Sequence, residues 1–153
     1  MIVGLYVVTI VLAALLTGNE FAIGTIIHPV LSRLDTATHV KAVQALGRRY
    51  GKVMPFWMAG VLVLEVVILF VVGPRWHGAW TWAAVSAGLV LVAIIFSVVG
   101  PVPINNRVVG WDPERLPEGW EKERARWDQL HMVRVAILIA SLAALVVSAI
   151  DGV

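Results

Sequence analysis

Four long stretches of the chain are dominated by apolar residues, and more polar segments separate them. They predict helices over residues 2–28, 54–73, 79–100 and 118–150. At about 1.5 Å per residue, each is roughly long enough to cross a hydrocarbon core of about 30 Å. The strict alternation of apolar and polar residues typical of a membrane-spanning strand is absent. The pattern therefore predicts an all-α integral membrane protein, a single four-helix transmembrane domain over residues 1–153.

Composition and charge distribution support this assignment. The chain is 59% hydrophobic and 14% charged, whereas soluble domains carry about 25% charged residues. The net charge of +2 is no sign of nucleic-acid binding, because the cationic residues cluster in the two long loops. They are Arg33, Lys41, Arg48, Arg49, Lys52, Arg107, Arg115, Lys122, Arg124, Arg126 and Arg134, with Arg75 outside both loops. The positive-inside rule then places both termini outside and both loops in the cytoplasm of a multi-pass inner (plasma) membrane protein.

One face of the first predicted helix is polar although the helix is otherwise apolar. Thr17, Glu20, Gly24 and His28 fall within an arc of about 80°. Because ionisable groups are costly at membrane depth, they usually face a partner or a water-filled cavity. Pro29 disfavours helical geometry at His28, so the first helix is predicted to end or bend there.

Other polar residues are expected at a similar depth. Asn105 and Asn106 follow the third helix, and Trp127, His131 and Arg134 share one face of the fourth. Helix bundles commonly build sites from inward side chains on facing helices. We therefore predict a polar pocket at the cytoplasmic end of the bundle.

The connecting segments carry weaker predictions. Residues 32–52 form either an amphipathic helix on the membrane surface or a solvated connecting helix. The two prolines of residues 101–106 predict an extended segment there. His39 is expected to be solvated in a polar loop.

A metal site is one interpretation of the polar residues. Glu20 and His28 are eight residues apart, and the rise of about 12 Å is too long for two side chains of one straight helix to share a metal. Only a distortion near Gly24 would bring them together. His28 and His131 remain candidate ligands for iron, copper or haem, with a site that holds no cofactor as the alternative.

Several of these side chains allow both a structural and a functional interpretation. Glu20 either pairs with Arg134, so that both charges stay buried, or handles protons. Glu65 lies near the bilayer centre, where it is either functional, simply protonated, or bonded to a hydroxyl such as Thr17 or Ser97.

The remaining pocket residues are open to two interpretations as well. Trp127 is either an interfacial anchor or a surface on which an aromatic substrate stacks. Asn105 and Asn106 either cap the loop backbone or donate hydrogen bonds to a bound carbonyl or oxyanion.

Three short motifs together resemble a known family. They are Gly18 and Glu20 followed by His28-Pro29, then Val102-Pro103-Ile104-Asn105, then Trp127, His131 and Arg134. In this combination and order they resemble the anthrone oxygenase-like family, small four-helix membrane proteins, many of them bacterial and of unknown function.

The resemblance implies a chemistry as well as a fold. Characterised relatives are implicated in oxygenating phenolic anthrones to anthraquinones, with no flavin or nicotinamide motif. The resemblance would make His28 and His131 candidate bases or ligands, and Asn105 and Arg134 candidates for binding an ionised phenol or enolate. Such chemistry needs a base that generates a carbanion and a pocket that excludes water.

Three functional hypotheses follow. The first is a membrane-embedded oxidoreductase or oxygenase acting on a hydrophobic aromatic or quinone-like molecule that enters from the bilayer. Its catalytic candidates are His28, His131 and Glu20, and its substrate-binding candidates are Asn105, Asn106, Arg134 and Trp127. The second is a non-enzymatic accessory subunit, or a lipid- or quinone-binding module, in a homo-oligomer or a larger membrane complex. A proton-coupled carrier based on Glu20 and Glu65 is the third, weakened by the lack of visible inverted repeats.

Overall fold

The fold is a helical bundle with four helices long and apolar enough to span a membrane. The structure, a computed structural model, describes residues 2–74 and 76–152. The four spans are Ile2–Leu31, Thr36–Val72, His77–Val109 and Trp120–Gly152. No strand occurs among the described residues. The chain is thus a multi-pass, all-helical membrane protein, as the hydrophobic pattern predicted.

The first span changes helix type part of the way along. Helix α1 covers Ile2–Ala22, a π-helical turn covers Ile23–Ile27, and α2 covers His28–Leu31. The span therefore does not end at His28 but continues to Leu31, with Pro29 in the first turn of α2. A proline is tolerated there, where its missing N–H is not needed by the helical hydrogen-bond ladder. A bend at His28, the other predicted outcome, stays a prediction.

The second span, α3, covers Thr36–Val72 and is longer than predicted. It begins at Asp35, whose carboxylate accepts a hydrogen bond from the Thr38 N–H at 3.0 Å. Hydrogen bonding from the Thr38 side chain, and then from its backbone N–H, lowers the pKa of Asp35. The polar segment 32–52 is therefore largely the first half of a membrane-spanning helix and not a separate connecting element.

The polar half of α3 also packs against the rest of the protein. Gln44 donates to the backbone oxygens of Val108 and Trp111 at 2.9 and 2.8 Å. His39, expected to be solvated, is 6% exposed, and its Nδ1 lies 2.8 Å from the Leu31 carbonyl oxygen. These contacts anchor α3 beside α2 and beside the segment that follows the third span.

The third span consists of α4, His77–Val99, and α5, Pro101–Val109. The extended conformation predicted for residues 101–106 was wrong. Both prolines fall in the first turn of α5, where the backbone N–H groups have no partner within the helix. The last helix, α6, covers Trp120–Gly152.

The main core lies in the half of the bundle away from α5. It contains Leu16, Ile68, Ala93 and Leu145 from four different helices, each fully buried. A polar layer interrupts this core where the Ser86 hydroxyl lies 2.9 Å from Glu65 Oε1. Glu65 thus bonds to a serine, but not to the residues predicted to bind it.

Candidate functional site

All seven residues predicted for the site line one cavity of about 290 Å³. They are Glu20, His28, Asn105, Asn106, Trp127, His131 and Arg134. Much of the remaining wall is apolar, with Val43, Leu46, Met54, Met58, Ile94, Val98 and Val102 contributed by α3, α4 and α5. The cavity is therefore apolar on one side and polar on the side formed by the first and last helices.

Both ring nitrogens of His131 make hydrogen bonds on this polar side of the cavity. Its Nε2 lies 2.9 Å from the Glu20 carbonyl oxygen, and its Nδ1 lies 3.1 Å from an Arg134 guanidinium nitrogen. A carbonyl oxygen only accepts and a guanidinium only donates. The contacts therefore specify a neutral imidazole with its proton on Nε2.

Glu20 and Arg134 form a buried ion pair next to His131. Arg134 donates to Glu20 Oε2 at 2.5 Å and to the Ser97 hydroxyl at 3.3 Å. Glu20 and His131 are almost completely buried, and Arg134 is 8% exposed. The pairing predicted for Glu20 and Arg134 is present, and it leaves the group around His131 without net charge.

The π-helical turn brings the first helix close to His131. A Cβ on Gly24, which lies within this turn, would be 3.0 Å from His131 Cδ2 and 3.3 Å from Nε2. Only a residue without a side chain leaves room for the imidazole to reach the Glu20 carbonyl. Single π-helical turns often occur at functional sites, and this one contains Gly24, near which a metal site shared by Glu20 and His28 would have needed a distortion.

His28 contacts a different carboxylate and a different guanidinium from those next to His131. Its Nδ1 lies 3.0 Å from Asp128 Oδ1 and 2.6 Å from an Arg124 guanidinium nitrogen. Arg124 also donates to the same Asp128 oxygen at 3.2 Å. His28 Nε2 makes no hydrogen bond within residues 2–74 and 76–152, so this nitrogen of a cavity-lining ring is free to meet a ligand.

Trp127 packs against both histidines. The His131 ring stacks on it with ring centres 4.7 Å apart and planes at 13°, and the His28 ring centre is 4.5 Å from the indole. Arg124 lies over the indole at 5.2 Å, close enough for a cation–π contact. The indole is 7% exposed, so Trp127 belongs to the site wall and does not act as an anchor projecting into the membrane interface.

Asn105 and Asn106 reach the cavity from α5. Neither side-chain amide has a hydrogen-bond partner among the described residues, and Asn105 is half-buried whereas Asn106 is exposed. The expected role in capping the loop backbone is therefore not seen. Both amides are free to donate to, or accept from, a molecule in the cavity.

The two histidine rings lie near each other, but both nitrogens of His131 already make hydrogen bonds. Their ring centres are 6.2 Å apart, and the hydrogen bonds of His131 leave it no free nitrogen lone pair for a metal. The part of the chain that the structure describes holds no group of three or more His, Asp or Glu residues placed to bind a metal. Iron, copper or haem at His28 and His131 stays a prediction that would require His131 to rearrange.

The sequence interpretation missed Asp128 and Arg124 as parts of the site. Arg124 was assigned to the cationic residues of a loop. Asp128 follows it by four residues, the spacing at which side chains meet on a helix. That spacing was the available signal for the pairing of Arg124 with Asp128, but it did not indicate their contact with His28 on another span.

The polar side of the cavity coincides with a known sequence pattern. A family model described as anthrone oxygenase matches residues 44–144. This range includes Asn105, Trp127, His131 and Arg134, whereas Glu20 and His28 precede it. No curated protein and no solved structure matches the chain. Because the family model covers well over half of the chain, this protein belongs to the anthrone oxygenase family.

Proposed function

We propose that the protein is a membrane-embedded oxygenase that acts on a hydrophobic aromatic or quinone-like small molecule held in the cavity. The observation that carries the proposal is the cavity itself, in which apolar walls face the seven predicted site residues, with one free imidazole nitrogen among them. Pockets for small molecules are usually mostly apolar with a few placed polar groups. Membership of the anthrone oxygenase family supports the type of reaction.

His28 is the base in this proposal. An activated CH₂ group next to phenolic rings gives a proton to His28 Nε2, and the resulting carbanion transfers electrons to O₂ and bonds to it. Protonation yields a hydroperoxide, which loses water to leave a carbonyl group. The sum is one CH₂ and one O₂ converted to one C=O and one H₂O.

The other residues bind the substrate and keep His28 and the oxygen anion in place. Asn105 and Asn106 donate to the phenolate or enolate oxygen, because their amides have no competing partner. Trp127 provides the aromatic surface next to the reacting carbon. Glu20 and Arg134 hold His131 as a neutral N–H donor in the polar wall, so His131 positions neighbouring groups and does not act as a second base.

The substrate would reach the cavity from the bilayer. The apolar wall comes from α3, α4 and α5, and the charged residues Arg124 and Asp128 beside the cavity lie in the first part of α6, in the region predicted to be cytoplasmic. The proposal thus includes an inner-membrane protein whose pocket opens near the cytoplasmic surface, with a largely apolar lining that limits the access of water to the carbanion.

The test is oxygen uptake by the purified protein in detergent or nanodiscs. A panel of hydroxylated polycyclic aromatics with an activated CH₂ group is offered, with wild type beside His28→Ala and Asn105→Ala. His77→Ala is the matched control, because His77 is exposed at the start of α4 and does not line the cavity. General-base catalysis is worth about 10²–10⁴-fold, so His28→Ala is expected to lose that factor. Equal uptake in His28→Ala and His77→Ala would refute the assignment.

A second candidate is a quinone- or lipid-binding module without a reaction, as an accessory subunit of a larger complex or as a homo-oligomer. The predominantly apolar lining favours it, since apolar area alone supports binding. It predicts quenching of tryptophan fluorescence by a quinone, through the buried Trp127, in wild type and in His28→Ala alike. Quenching together with no oxygen uptake on any substrate would favour this candidate over the oxygenase.

A further inference from the structure

The Nδ1 atom of His28 lies between two groups with opposite hydrogen-bonding requirements. Asp128 Oδ1 is 3.0 Å away and an Arg124 nitrogen is 2.6 Å away. A carboxylate can only accept, so it favours a proton on Nδ1. A guanidinium can only donate, so it favours a lone pair on Nδ1. One nitrogen cannot satisfy both neighbours at once.

Each neighbour therefore favours a different tautomer of His28. With the proton on Nδ1, facing Asp128, the Nε2 lone pair is free for the cavity. With the lone pair on Nδ1, facing Arg124, Nε2 carries a proton toward the cavity. In a neutral imidazole one nitrogen donates and the other accepts, so the partner of one nitrogen decides what the other can do.

The two ends of the His28 ring also differ in their surroundings. His28 lines the cavity and is 7% exposed, whereas the Asp128 side chain is 47% exposed. Asp128 lies in the charged first part of α6, which includes Glu121, Lys122, Glu123, Arg124 and Arg126. A segment with so many charged residues close together belongs at the aqueous boundary and not in the hydrocarbon core. His28 thus connects the cavity with water through Asp128.

We propose that His28, Asp128 and Arg124 form a proton relay between the cavity and the aqueous boundary. The proposal rests on the proposed function and adds the residues that move the proton. His28 Nε2 takes a proton from a substrate in the cavity, and Nδ1 passes its own proton to Asp128, which releases it to water. Arg124 then donates to the vacated Nδ1 lone pair and stabilises the product tautomer, which carries one proton on Nε2.

The product tautomer is also suited to the next step. A peroxide anion formed in the cavity takes the Nε2 proton, and Nδ1 regains a proton from water through Asp128. Each cycle thus removes one proton from the cavity and returns one. His28 serves as base and then as acid without a change in its total charge between the two resting tautomers.

Other titratable groups near His28 do not touch its Nδ1. His131, on α6, has its ring centre 6.2 Å away, and it is hydrogen-bonded to Glu20 and Arg134. His39, on α3, directs its Nδ1 to the Leu31 carbonyl oxygen. The tautomer of His28 is therefore set by the pair on α6.

The test measures the tautomer directly by NMR of protein with ¹⁵N-labelled histidine in nanodiscs. The His28 signals are assigned by their loss in His28→Asn. In Asp128→Ala the ratio of Nε2–H to Nδ1–H is expected to rise, and in Arg124→Met it is expected to fall. Each change should be about tenfold or more, because each variant removes a hydrogen bond to a charged group. Methionine keeps an apolar side chain of similar length against Trp127.

Glu123→Gln is the matched control. Glu123 is on the same helix and pairs with Arg107 at 3.0 Å, with no contact to His28, so its tautomer ratio should equal that of wild type. Unchanged ratios in Asp128→Ala and Arg124→Met, or changes in the same direction, would overturn the relay.

Kinetic measurements distinguish the failure of the proton relay from the failure of the proposed oxygenase function. With a turned-over substrate, Asp128→Ala should lower kcat by about 10²-fold or more with little change in KM, since proton transfer is affected and binding is not. A normal kcat in Asp128→Ala would overturn the relay while the oxygenase stands. Opposed tautomer shifts without turnover of any substrate would refute the oxygenase while supporting the assignment of these two residues as the pair that sets the His28 proton.

Discussion

Replacing Gly24 with alanine tests the close approach of the first helix to His131. The new Cβ would lie 3.0 Å from His131 Cδ2 and 2.7 Å from Met132 Sδ, whereas carbon atoms in contact are normally about 3.5–4.0 Å apart. The Met132 side chain can rotate away. The His131 ring cannot rotate away, because Glu20 and Arg134 hold it, so it must shift by a few tenths of an ångström and its 2.9 Å hydrogen bond to the Glu20 carbonyl oxygen is lengthened and weakened.

The size of the effect follows from two opposing contributions. Overpacking of a buried site costs about 1–3 kcal/mol, and a glycine-to-alanine change within a helix stabilises by up to about 1 kcal/mol. Gly18→Ala is the matched control, because a Cβ at Gly18 has no atom within 4 Å. It receives only the stabilising contribution. We therefore expect Gly24→Ala to be about 1–3 kcal/mol less stable than Gly18→Ala.

The assay is thermal unfolding of both variants in the same detergent, together with the ¹⁵N signals of His131. By the scaling for soluble domains of this size, each kcal/mol corresponds to about 2–4 °C in Tm. His131 should change its Nε2 resonance in Gly24→Ala alone. Equal Tm values for the two variants and an unchanged His131 signal would show that the imidazole does not depend on the bare backbone at Gly24.

Two further predictions concern the buried polar groups. The Ser86 hydroxyl has one proton, but it lies 2.9 Å from two acceptors, Glu65 Oε1 and the Ser141 carbonyl oxygen. A side chain at position 65 that donates a hydrogen bond to the Ser86 oxygen would leave that proton for Ser141. Glu65→Gln should therefore change the unfolding free energy by less than about 1 kcal/mol, whereas Glu65→Ala should cost about 2–5 kcal/mol; equal losses in the two variants would disprove this. Arg134→Met should cost about 3–5 kcal/mol in denaturant titrations, because Glu20 stays buried without its partner, and adding Glu20→Gln should recover part of the loss. Strictly additive losses would contradict the pairing.

The period of the hydrophobic pattern explains why much of the site could be predicted. Apolar length alone predicted the four spans. The 3.6-residue repeat put Glu20 and His28 on one face of the first helix, and Trp127, His131 and Arg134 on one face of the last. Because ionisable groups at membrane depth seek partners, the two faces were expected to meet. In the structure they line the same cavity.

The start of α5, the contact of Asp128 with His28 and the π-helical turn could not be predicted, because they depend on tertiary packing and not on the local sequence pattern. Prolines 101 and 103 disfavour a helix interior but suit a first turn, and the sequence did not show where α5 begins. Asp128 belongs to a charged stretch in which most side chains are solvated, so its contact with His28 depends on tertiary packing. The π-helical turn at Ile23–Ile27 has no local signal of its own beyond Gly24.

The central claim is that the cavity supports oxygenation with His28 as the base, and incorporation of label from ¹⁸O₂ tests it most directly. Purified protein, wild type and His28→Ala, is given an accepted hydroxylated polycyclic substrate under ¹⁸O₂ in unlabelled water, and the product is analysed by mass spectrometry at early times. We expect one ¹⁸O atom in the new carbonyl group of the wild-type product and about 10²-fold or more less product from His28→Ala. Product that carries only oxygen from water, or labelled product formed equally fast by both proteins, would contradict the account.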